Sequence, residues 1–141
     1  MKSAYVLTFL ALGTLLVHAL DSEMDKSMKQ VARASKELKA DLALTDDTKH
    51  NKDADLKDVA TMKTGAQAAR PLVPKKVKAM PADQQAAQTA DFQKDMDAFI
   101  ADIDTLNADI TAEKWAPARA DFQKLMDDEK AGHKKFRVPK K

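Results

Sequence analysis

Two stretches of this 141-residue chain repeat mostly apolar residues at alternating intervals of four and three positions. The first set is Met24, Met28, Val31, Ser35, Leu38 and Leu42, and the second is Phe92, Met96, Phe99, Ile103, Leu106 and Ile110. Because an α-helix has 3.6 residues per turn, each set falls on one face of a helix. A helix with one long apolar face is stable in water only when that face is covered. The chain must therefore pack helices against one another.

Weaker stripes of the same period predict two more helices. The four predicted helices span residues 21–44, 48–70, 82–111 and 113–137. Pro117 falls in the first turn of the last one, where proline is tolerated. Three prolines within residues 71–81 exclude a helix interior there, so we predict a long connection. The expected fold is all-α, an antiparallel up-down-up-down four-helix bundle.

Residues 1–19 have a different character. Lys2 precedes an almost unbroken apolar run, and Val17-His18-Ala19 suits a cleavage site. This pattern predicts a secretory signal peptide cut after Ala19, which leaves a domain of residues 20–141. The run is shorter than the roughly 20 apolar residues that span a bilayer. We therefore expect an exported protein with no stable membrane insertion after cleavage.

Composition excludes several classes of function. The chain has no cysteine, which excludes disulfides, thiolate metal sites and haem attached through thioethers. Basic residues number 24 and acidic residues 22, in mixed order, so no nucleic-acid partner is expected. There is no glycine-rich phosphate loop and no visible nucleophile–base set, so we expect no enzymatic activity.

One pair of residues permits a cofactor. Met28 lies on the inner face of the first helix, about 10 Å from its predicted start, and His133 lies near the end of the last helix. In the predicted topology these positions share one end of the bundle on neighbouring helices. A thioether and an imidazole are the axial ligands of many electron-transfer haems. The same residues also suit a simpler interpretation, in which the methionine fills the core and the histidine is partly exposed.

The run from Asp91 to Arg137, beginning DFQKDMDAF and ending AGHKKFR, resembles the C-terminal half of soluble cytochrome b562. The segment MKQVARASKELK is similar to the ligand-bearing first helix of that family. The resemblance implies one noncovalent b-type haem (iron protoporphyrin IX) per chain. Its implied axial ligands are Met28 and His133, with Met24, one turn earlier, as the rival for the sulfur position.

The resemblance also implies surroundings for that haem. Phe92 and Met96 match positions that line the family's pocket, and Arg137 matches a final arginine that either screens the haem propionates or favours the helix C-terminus. In related c-type bundles two cysteines occupy the positions held here by Glu129 and Gly132. The family implies electron transfer with a redox partner protein in the periplasm of a Gram-negative bacterium.

Two alternatives remain open on the sequence. A haem-free exported bundle with a binding or chaperone-like role has the same charge and apolar pattern. A metal-binding bundle would need His50 to act with methionine or carboxylates. We expect His50, at a helix start, to be solvent-exposed, and the carboxylates to lie on polar faces.

Overall fold

The computed structural model describes the backbone of residues 9–139 and the side chains of residues 19–139. The helices are α1 (Phe9–Leu42), α2 (Lys52–Ala69), α3 (Lys75–Lys78), α4 (Ala82–Thr111) and α5 (Trp115–Phe136), with a 3-10 turn at Asp47–Lys49. Residues 9–139 contain no strand. The four long helices form the predicted all-α bundle: α1 packs on α2, α2 on α4 and α4 on α5, while α1 touches α5 only sparsely.

The N-terminal segment stays a prediction. The side chains of residues 1–18 lie outside the described residues, so the predicted signal peptide at residues 1–19 and the domain start at residue 20 are not tested. In the described backbone α1 already begins at Phe9, upstream of the predicted start at residue 21. No helix in the described part of the chain combines the length and apolar character that a membrane span needs.

Side-chain caps fix the start of α2 four residues later than predicted. The Asp46 carboxylate accepts a hydrogen bond from the Thr48 backbone N–H at 3.1 Å and so caps the 3-10 turn. The Asn51 side chain accepts one from the Ala54 N–H at 3.2 Å and caps α2. Each cap satisfies a backbone donor that has no partner within its helix.

The prediction of a wholly non-helical connection at residues 71–81 is wrong in one respect. One helical turn, α3, forms between Pro74, which is its N-cap, and Ala79. The prolines flank this turn and do not lie inside it, so none removes a helical hydrogen bond. Val77 on this turn is fully buried, which anchors the connection to the bundle.

The predicted stripes form the core. All six residues of the α4 stripe are buried, and the fully enclosed large side chains of the four long helices include Leu38, Met62, Ile103, Leu106, Ile110 and Leu125. On α1 the stripe is buried from Val31 to Leu42, but Met24 and Met28 are half-buried. The expectation that carboxylates lie on polar faces is wrong for Asp55, which is 1% exposed.

Ion pairs define the two ends of the bundle. We call the end at which residues 70–81 lie the linker end, and the opposite one the far end. At the linker end Lys78 Nζ lies 2.6 Å from Asp21 Oδ1 of α1, and Lys76 Nζ lies 2.9 Å from the Lys135 carbonyl oxygen of α5. Lys135 in turn pairs with Asp91 of α4 at 2.9 Å. The described start of the α1 side chains and the end of α5 therefore share this end, as antiparallel packing requires.

Candidate functional site

Two thioethers face the core at the linker end. Met24 and Met28 are both half-buried and pack against the buried apolar cluster. They are four residues apart on α1, so both point to the same side of the helix. Ser27, next to Met28, is 5% exposed and lies where α1 approaches α2. Either sulfur is therefore positioned on the inner side of α1.

His133 lies in the last turn of α5, at the same end. Its side chain is 39% exposed, and its Nε2 atom lies 3.9 Å from Oε1 of Glu129, one turn earlier. The Glu129 side chain is more enclosed than the histidine, at 16% exposure. An ion pair this long and this exposed is weak, so the imidazole nitrogen is available to another partner.

Apolar side chains form a wall beside these donors. Phe92 of α4 and Phe136 of α5 meet edge to face, with ring centroids 5.2 Å apart. Phe92, Met96 and Phe136 are 7–8% exposed, so the apolar core extends to the linker end, where these side chains lie. Phe136 follows His133 by three residues, which puts both side chains on the same side of α5.

Arg137 is the residue that directly follows the last turn of α5. Its backbone N–H donates to the His133 carbonyl oxygen at 3.0 Å and closes α5. Its side chain is exposed, and no carboxylate among residues 19–139 lies within ion-pair distance of its guanidinium. A cation at a helix C-terminus is favourable, and the same guanidinium is free to meet an anionic ligand.

The surface of α5 is open at Gly132, the residue before His133. A Cβ built on Gly132 would meet no heavy atom within 4 Å, so this side of α5 is open. The sparse contact between α1 and α5 leaves the side of the bundle between the two candidate donors the least closed. Two side chains of the kinds that ligate haem iron, beside apolar residues and an exposed cation, fit a haem.

A groove of about 640 Å³ lies near this end but has a different character. It is lined by charged and polar side chains of α1 and α3, namely Asp21, Ser22, Asp25, Lys26, Lys29 and Lys75. It contains neither candidate donor, and its charged lining is unsuited to an apolar ring.

Comparison with family models decides the relationship. The cytochrome b562 model matches residues 23–137. The chain belongs to the cytochrome b562 family. Members of the cytochrome b562 family are four-helix bundles that bind haem and carry electrons. The match includes α2 and the connection at 70–81, and it contains every candidate site residue. No individual curated protein matches the chain significantly.

The structure corrects the expectation for His50. Its side chain has no exposed surface, although it lies in a connection between helices. Its Nδ1 atom is 2.8 Å from Asp41 Oδ2, and its ring stacks on Trp115 with centroids 4.1 Å apart. Asp41 is nine positions from His50 along the chain and Trp115 is 65 positions away, so no local sequence pattern revealed these contacts.

Proposed function

We propose that this protein is a periplasmic electron-transfer protein that holds one b-type haem per chain without a covalent link, with Met28 and His133 as axial ligands. The observation that carries the proposal is the position of both donors at the linker end, on two long helices that are in only sparse contact. The membership of the cytochrome b562 family supports haem binding and electron transfer.

The bound haem supplies an iron that takes up and releases one electron. The Met28 thioether is a soft donor that favours the reduced state and raises the reduction potential. The His133 imidazole would supply the second ligand, so that Met28 and His133 together would leave no iron position for a substrate. Phe92, Met96 and Phe136, which are buried, would keep water away from the ring, and this would also disfavour the more charged oxidised state.

The charged residues at the rim have separate roles. The exposed Arg137 guanidinium is in a position to attract haem propionates at the surface. Glu129 and Gly132 occupy the two positions at which c-type relatives carry cysteine, so axial ligation and apolar burial hold the ring. We infer export through residues 1–19 and exchange of electrons with a soluble or membrane-bound redox protein of the periplasm.

The test is a hemin titration of the chain from residue 20 to residue 141, followed by dithionite reduction. We expect saturation at one hemin per chain and the sharp α and Soret bands of a six-coordinate low-spin haem. His133→Ala should abolish this binding, and Met28→Ala should give a high-spin spectrum. Met24→Ala is the matched control, because it removes the neighbouring sulfur one turn away, and it should leave the spectrum unchanged.

Two results would change the assignment. If Met24→Ala and not Met28→Ala gives the high-spin spectrum, Met24 is the sulfur ligand. If the wild-type chain is helical by circular dichroism but takes up no hemin, the haem function is wrong, and the haem-free binding or chaperone-like alternative replaces it.

A further inference from the structure

A second group of metal-ligand side chains lies at the far end of the bundle. Asp41 in the last turn of α1, His50 in the connection and Asp55 in the first turn of α2 each place one ligand atom within 4.8 Å of the other two. Asp41 is 13 residues after Met28 on the same helix, which puts it about 20 Å away. This cluster is therefore separate from the haem site.

The cluster contains a buried oxygen without a partner. Asp55 is 1% exposed, and within the described part of the chain its Oδ2 atom accepts no hydrogen bond. The His50 side chain beside it is fully buried. A buried carboxylate oxygen without a partner is costly, and native proteins resolve such a group with a proton, a water molecule or an ion.

The two carboxyl groups of the cluster lie close enough to affect each other's pKa values. Burial, together with a hydrogen bond and charge repulsion from Asp41, raises the pKa of Asp55 to about 7. Burial acts to raise the pKa of Asp41 as well, but hydrogen bonds with Asp55, His50 and the Asn51 N–H outweigh it and lower the value. A divalent cation held between the two carboxylates would compensate the repulsion between them.

We propose that Asp41, His50 and Asp55 bind a divalent transition-metal cation of the Zn²⁺ class, with water completing its coordination. One imidazole nitrogen and two carboxylate oxygens are a ligand set that Zn²⁺ takes in proteins. The cation ties the end of α1 to the start of α2, so its role is to stabilise the far end. The proposal is independent of haem binding.

The neighbouring charges leave the cation one approach. Arg119 Nη1 of α5 lies 3.4 Å from His50 Nε2, on the opposite side of the ring from Nδ1, and pairs with Asp47 Oδ1 at 3.2 Å. Asp47 Oδ1 also lies 3.6 Å from His50 Nε2. The Nδ1 atom faces Asp41 at 2.8 Å. The cation is therefore expected on the Nδ1 side, between the ring and the two carboxylates, away from the guanidinium.

Trp115, the one tryptophan of the chain, reports on this site directly because its ring stacks on His50. The experiment is an isothermal titration of Zn²⁺ into the purified chain after removal of metals with a chelator, at pH 7.5, with tryptophan emission recorded in parallel. We expect one tight site per chain and a change in Trp115 emission that saturates at the same ratio. Asp55→Asn and His50→Gln should each weaken binding by at least tenfold.

The controls separate this site from others. Asp53→Asn removes an exposed carboxylate from the same turn of α2 and should bind Zn²⁺ like the wild type. Circular dichroism establishes that each variant is folded, and the isosteric Asp55→Asn change retains the shape of the side chain. The proposal is overturned if the wild type takes up no stoichiometric Zn²⁺. It is equally overturned if Asp55→Asn and His50→Gln bind as tightly as the wild type, or if binding is lost in His133→Ala instead.

Discussion

The imidazole of His50 stacks on the indole of Trp115, with ring centroids 4.1 Å apart and planes inclined by 27°. This contact joins the connection between α1 and α2 to the first residue of α5. Arg119 of α5 extends the same junction through its contact with the Leu44 carbonyl oxygen at 3.4 Å. The far end is thus closed by interactions among three elements, whereas the linker end leaves two methionines half-buried and a histidine two-fifths exposed.

Asp55 makes stability depend on pH in a definite direction. In the folded chain its pKa is about 7, compared with an ordinary value of 3.8, so the folded state holds a proton that the unfolded state has lost between these values. The free energy of unfolding therefore falls as pH rises from about 4 to 7, by up to about 1.4 kcal/mol per pH unit. Asp58 and Asp121 also have raised pKa values, caused first by burial, and add to the same slope.

Asp55→Asn tests this effect. The amide cannot ionise, so we expect a shallower decline of stability between pH 5 and 8, and a variant more stable than the wild type at pH 8. Urea unfolding in the presence of EDTA at both pH values measures it. Equal slopes for the two proteins would show that the Asp55 carboxyl does not retain its proton on folding.

Gly65 and Gly132 should respond in opposite ways to alanine. A Cβ on Gly65 would lie 2.8 Å from Val31 Cγ2 and 2.9 Å from the Ser27 carbonyl oxygen, so α1 would have to move away from α2. We expect Gly65→Ala to cost about 1–3 kcal/mol despite its better helix propensity. Gly132 has open space around its Cα, so Gly132→Ala should stabilise the haem-free chain by up to about 1 kcal/mol. Chemical denaturation of both variants in parallel measures the two stability changes. A stabilised Gly65→Ala protein would contradict the close approach of α1 to α2 at Gly65.

Glu113 is a non-glycine residue with a positive φ of 57° at the turn between α4 and α5. The Lys114 N–H reaches back to the Asp109 carbonyl oxygen at 2.9 Å, a helix ending at which glycine is usual. The Glu113 carboxylate also forms an ion pair with Lys52 at 3.0 Å. We expect Glu113→Gly to be more stable than Glu113→Ala by about 1 kcal/mol, because both lose the ion pair but only alanine keeps the left-handed strain. Thermal unfolding of the two variants checks this, and equal midpoints would indicate an unstrained turn.

The stability cost of replacing Met28 with alanine should depend on hemin, whereas the cost of replacing Met62 should not. Met62 is fully buried, so Met62→Ala should cost about 2–5 kcal/mol with or without hemin. Met28 is half-buried, so Met28→Ala should cost less in the haem-free chain. With hemin in excess its cost should grow, because a ligand that binds the variant less tightly stabilises it less. Denaturation curves at several hemin concentrations measure both effects, and a cost for Met28→Ala that hemin does not alter would contradict its role as a ligand.

The periodic apolar stripes were enough to predict four long helices, their packing as a bundle and the burial of the α4 stripe from Phe92 to Ile110, because local spacing dictates which helix face is apolar. The donor pair Met28 and His133 followed from the same spacing combined with antiparallel topology and a family resemblance. The 3-10 turn and the helical turn α3 could not be predicted in this way. The 3-10 turn depends on the capping hydrogen bond of Asp46, and α3 depends on the placement of Pro74 at its start.

What the sequence by itself determined is the all-α class and the approximate positions of the four long helices along the chain. The tertiary structure alone decided that Asp55 and His50 are buried, that they meet Asp41 and Trp115, and that α1 and α5 are in only sparse contact. These facts depend on which distant segments come together. Burial of a polar residue is set by neighbours that are far away in sequence, and its own local pattern carries no record of them.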